Sequence, residues 1–70
     1  MIFETKDELD QYLRSISPIY ATYSNTLWAK EKYSAAQLAI LSVSCMEAYG
    51  IKNAIHATDI IAHSKTTGKW

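Results

Sequence analysis

Apolar residues first fall into register at Leu9, Tyr12, Leu13 and Ile16, the i, i+3, i+4, i+7 spacing of a one-sided helix. Just ahead of them, "TKDE" sets Thr5 three residues before Glu8. The Thr5 hydroxyl can accept from the Glu8 amide while the Glu8 carboxylate returns to the Thr5 amide, a capping box. Asp7 and Glu8 also place negative charge in the first turn, where the helix dipole favours it. A second start is written at Ser17–Pro18, with proline at the first helical position. Beyond it Ile16, Tyr20, Tyr23 and Leu27 share one face, flanked by Ile19 and Trp28. Thr22, Ser24, Asn25 and Thr26 are weak helix formers, so an irregular or extended course over 18–29 is the alternative. "KEK" at 30–32 reads as a solvated connection.

The third predicted helix opens with a better box. Ser34 and Gln37 hold the N-cap and N3 positions, and Tyr33 and Leu38 flank them as a hydrophobic staple. The pattern carries it to about Tyr49, with Gly50 as the residue beyond the C-terminus that can turn left-handed. Leu38, Leu41, Cys45 and Tyr49 make one face, and Ala35, Ala39, Val43 and Met46 another. A helix apolar over most of its circumference belongs in the middle of a bundle, wrapped by its neighbours or by a second copy. A fourth helix is predicted from about Lys52 to His63 or Ser64, with Ile51, Ala54, Ile55, Ile61 and Ala62 facing inward. "MIF" reads as a strand-like leader packing on the bundle. "SKTTGKW" reads as a fraying tail, with Trp70 free to dock back. The expectation is an all-α fold: a small compact bundle of three to four helices. It forms one domain over residues 1–70, with 1–4 as leader and 65–70 as frayed tail.

Length and charge narrow what such a bundle can do. Seventy residues build only a thin core, and a lone cysteine, Cys45, leaves no disulfide to reinforce it. Seven basic residues balance seven acidic ones, without the excess that phosphate contacts demand, so nucleic acid is disfavoured as a partner. The N-terminus lacks the basic and apolar regions of a signal peptide. The most apolar run, 35–51, is broken by Gln37, Ser42, Ser44 and Glu47 and falls short of the roughly 20 residues a span needs. A cytoplasmic protein without a membrane partner is expected.

Candidate chemistry is sparse. His56, Asp59 and His63 lie at i, i+3 and i+7 in "HATDIIAH", and Asp59 with His63 could share an ion. The two histidines stand roughly 10 Å apart along the axis, too far for one metal. The sequence is read as a solvated face of Lys52, His56, Asp59 and His63, with no metal site. Cys45 with a histidine base would make a nucleophile, but its apolar neighbours predict a buried, inert thiol. Two glycines cannot build a phosphate-cradling loop, and no motif calls for a cofactor. A non-enzymatic protein is expected.

Two functional readings remain. Tyr12, Tyr33 and Tyr49 have core or staple positions, whereas Ile19, Tyr20, Tyr23 and Trp28 crowd one short segment whose flanks a thin core cannot all cover. Tyrosine and tryptophan dominate interface hot spots. These four residues are therefore the expected contact patch of a protein-binding module. Such a module would act as an adaptor or inhibitor of a larger assembly, possible homodimer included, a type common among phage and mobile-element products. The alternative is a helix-turn-helix DNA-binding regulator built on "CMEAYGIKNAIHATDII", reading DNA through Lys52, Asn53, His56 and Lys65. Its apolar anchor Ile55 falls one residue early, and Met46 stands where close helix contact wants a small side chain.

Overall fold

A computed structural model describes residues 2–67. The chain is all-α, as the periodicity predicts, but it is cut into more pieces: among the described residues there are five α-helices and one 3-10 helix. They are α1 (Lys6–Ile16), the 3-10 helix Pro18–Tyr23, α2 (Ser24–Ala29), α3 (Ala35–Ala39), α4 (Val43–Ala48) and α5 (Ala54–Thr67).

Both boxes form, each with the same departure. The Thr5 hydroxyl accepts from the Glu8 amide, and the Ser34 hydroxyl from the Gln37 amide. The returning side chains, however, reach one residue further back. Glu8 Oε1 takes the Glu4 amide at 2.6 Å, and Gln37 Oε1 the Tyr33 amide at 2.7 Å. Each thereby ties the preceding extended segment to its helix. Ser17 is extended ahead of Pro18, and the doubtful stretch 18–29 is helical throughout, first as 3-10 and then as α2.

The long third helix of the sequence reading is two short ones. Ile40 ends α3, and Ser42 adopts an extended conformation whose hydroxyl caps the Cys45 amide at 3.2 Å. On one straight helix Leu38 and Met46 would point roughly 80° apart; with the break both are fully buried. The apolar surplus goes outward instead of being wrapped: Ile40 is 84% exposed, and Val43 and Cys45 are exposed. Cys45 is thus not the buried core thiol expected.

Gly50 does close α4, at φ +101°. The Ile51 amide donates to Met46 O and the Gly50 amide to Glu47 O, a Schellman turn with buried Ile51 against buried Met46. Asn53 Oδ1 then caps α5 through the Ile55 and His56 amides. Residues 65–67, expected to fray, continue α5; 68–70, Trp70 among them, lie outside the described residues.

The molecule assembles as two groups. α1 packs on the 3-10 helix and α2, while α5, about 21 Å long, lies along α3 and then α4. Leu9, Leu13, Leu27, Leu38, Met46, Ile51 and Ile60 form the fully buried centre between them. Tyr12 of α1 ties the groups together, its hydroxyl 3.0 Å from Ser64 Oγ of α5. The leader packs as expected: the Phe3 amide donates to Tyr33 O at 2.7 Å, and the buried Phe3 ring lies 5.2 Å from that of Tyr12. No helix among the described residues is long and apolar enough to cross a membrane.

Candidate functional site

The face that α5 turns to the core is Ala57, Ile60, Ile61 and Ser64. This corrects the inward set read from the sequence: Ile51 and Ile61 are buried, but Ala54, Ile55 and Ala62 are exposed, Ile55 by 79%. In this phase Ser64 meets Tyr12 and Asp59 meets Tyr20. Tyr20 donates to Asp59 Oδ2 at 2.5 Å, and the Tyr23 hydroxyl lies 2.7 Å from His56 Nδ1. Two side chains assigned to a solvated face thereby become half-buried partners of the 3-10 helix.

The aromatic segment is consequently mostly structural. Tyr20 is buried and cannot be a contact residue, a correction to its place in the expected patch. The His56 ring meets it edge-on at 5.1 Å. The acceptor carboxylate of Asp59, reinforced by burial, pushes the Tyr20 phenol up to about 12. Tyr23 is half-buried against the core. Trp28 is half-buried too, edge-on to Tyr33 at 4.7 Å, and its loss would remove packing as well as surface. Of the four expected contact residues only Ile19, 57% exposed, presents a free apolar side chain.

The four residues of the DNA reading do not converge. The Asn53 side chain caps α5, and His56 turns toward Tyr23. Lys52 and Lys65 are exposed, but Lys52 precedes α5 while Lys65 sits in its last turn, roughly 16 Å along the axis from the helix start. Asp59 Oδ1 and His63 Nδ1 do approach to 3.1 Å, as an ion pair when the imidazole is protonated. Among the described residues no third ligand joins them.

A different surface emerges where α5 passes the α3–α4 break. Two adjoining depressions share Thr58 and Ala62: one is walled by Ala54 and Ile55, the other by Leu41, Val43 and the stem of Lys65. Together they form one shallow apolar groove, with Asp59 on one rim and Lys65 on the other. Sequence reasoning missed it because it needs two facts no linear pattern carries. Ser42 must break the helix, turning Leu41 and Val43 toward α5. The phase of α5 must also be set by Ala57, Ile60, Ile61 and Ser64, which leaves Ile55 on the outside. The available signal was the one-residue mismatch of Ile55 with the helix-turn-helix pattern.

Near the same break, Cys45 is exposed, and the Ser42 hydroxyl foremost, with the Ser42 backbone and the Lys32 charge, holds its thiol below the usual range. No family model, curated protein or solved structure matches the chain.

Proposed function

We propose that the chain is a non-enzymatic protein-binding module, an adaptor or inhibitor, which engages its partner through the Leu41–Val43–Ile55–Ala62 groove. The exposure of Ile55 carries this reading. Burying a side chain of that size is worth about 1.5–3 kcal/mol, and α5 forgoes it while its neighbours Ile60 and Ile61 are buried. A contiguous apolar face with a polar rim is the surface a partner covers. A homodimer is the same proposal with a second copy as occupant.

The test pairs capture with a groove variant. Tagged protein, drawn from cells of its own host with nuclease present, should retain a stoichiometric protein partner. Ile55→Ser should weaken that capture about tenfold or more, by the lost burial. Sedimentation equilibrium of the purified chain identifies self-association. Equal capture by wild type and Ile55→Ser, or a catch lost with nuclease, overturns the groove as the protein-binding site.

A further inference from the structure

Lys30 closes α2, and the chain leaves through Glu31 at φ +60°. The Lys32 amide donates to Leu27 O and the Glu31 amide to Trp28 O. This is the same turn that ends α4, but Gly50 makes it there, and a glutamate makes it here. A side chain in the left-handed region is held against a steric penalty that glycine avoids. Strain of this kind persists where the surrounding geometry is used.

The turn brings its two flanking lysines to one place. Lys30 Nζ lies 5.5 Å and Lys32 Nζ 5.7 Å from the centroid of the Tyr49 ring, which packs on the core. Glu31 stands between them in sequence, yet neither lysine joins an ion pair among the described residues; those pairs are Arg14–Asp10 and His63–Asp59. The field of Lys32 extends to Cys45, one turn before Tyr49, where it favours negative charge. Two unneutralised ammonium groups anchored on one aromatic ring attract an anion.

We propose that Lys30, Lys32 and Tyr49 form a docking point for an acidic segment of a partner protein, a second surface independent of the α5 groove. Carboxylate side chains suit it better than a nucleic acid. A polyanion gains affinity from a track of phosphate contacts, whereas this site holds two cations, with the exposed carboxylates Glu31 and Glu47 close by in sequence to repel a long charged strand.

The probe is a hexaglutamate peptide at low salt, with hexathymidylate as competitor and amide chemical shifts as the readout. Saturable shifts at 30–32 and at Tyr49 are expected, lost on adding salt and weakened at least tenfold in the Lys30→Gln/Lys32→Gln variant. A second measurement reads the local field without any ligand. In that variant the rate ratio of anionic iodoacetate to neutral iodoacetamide at Cys45 should fall at least twofold, with helicity unchanged by circular dichroism. Shifts spread equally over Lys6, Lys52 and Lys65, tighter saturation by hexathymidylate, or no saturable shift overturns the proposal. None of these outcomes bears on Ile55.

Discussion

At the scale of single residues, the stability of this chain depends on a few polar contacts made by side chains that look apolar or surface-exposed in sequence. Tyr20 is the sharpest case: its ring belongs to the core while its hydroxyl donates to the Asp59 carboxylate. Because the folded phenol is raised from its ordinary value near 10 to about 12, folding favours its protonated form. The corresponding stability is present in full below about pH 10 and disappears as pH rises through about 12. Tyr20→Phe should therefore cost about 1–2 kcal/mol at neutral pH and flatten the alkaline limb of stability. Urea unfolding followed from pH 7 to 11.5 reads both effects. Asp10 behaves in the opposite sense. Hydrogen bonds from Arg14 and then Ser24 lower its pKa, so its contribution fades as pH falls through the depressed value.

At the scale of the element, Ser42 divides what hydropathy reads as one helix. A serine inside an apolar run carries no box signature when the third residue beyond it is cysteine rather than glutamate, so nothing local marks it as a cap. Burial decides the matter: the break lets Leu38 and Met46 both enter the core. Ser42→Ala should cost about 1 kcal/mol, the usual worth of an N-cap. Because the Ser42 hydroxyl is the foremost influence lowering the Cys45 thiol, the same substitution should slow alkylation of Cys45 at mildly alkaline pH. Thermal melts and iodoacetamide kinetics on one protein check the pair. An unchanged alkylation rate alongside lost stability would separate the cap from the thiol.

At the scale of the whole molecule, the thin core makes each buried side chain matter, and the exposed groove matters little to folding. A chain of this length has a total stability of roughly 4–10 kcal/mol. Met46 of α4 is fully buried, so Met46→Ala should remove about 2–5 kcal/mol and with it much of the cooperative transition. Ile55→Ser, at the groove, should leave stability within about 0.5 kcal/mol of wild type. Calorimetry on the two variants tests that division of labour. A large loss from Ile55→Ser would mean that the groove is part of the core.

The helical class, the caps at Thr5, Ser34 and Gly50 and the structural role of the leader were legible along the chain, because each is set within a few residues by hydrogen-bond geometry and periodicity. Ser17–Pro18 likewise announced the helical course of 18–29. What the sequence left open was phase and continuity. Whether 34–49 is one helix or two, and which side of α5 faces inward, depends on contacts between residues dozens of positions apart: Tyr12 with Ser64, Tyr20 with Asp59, Tyr23 with His56. With those bonds made, α5 buries Ala57, Ile60, Ile61 and Ser64, Tyr20 lies in the core, Tyr23 is half-buried and Ile55 stays outside. The candidate site was illegible for that reason: a surface made from what the core does not use can be located only after the core has been packed.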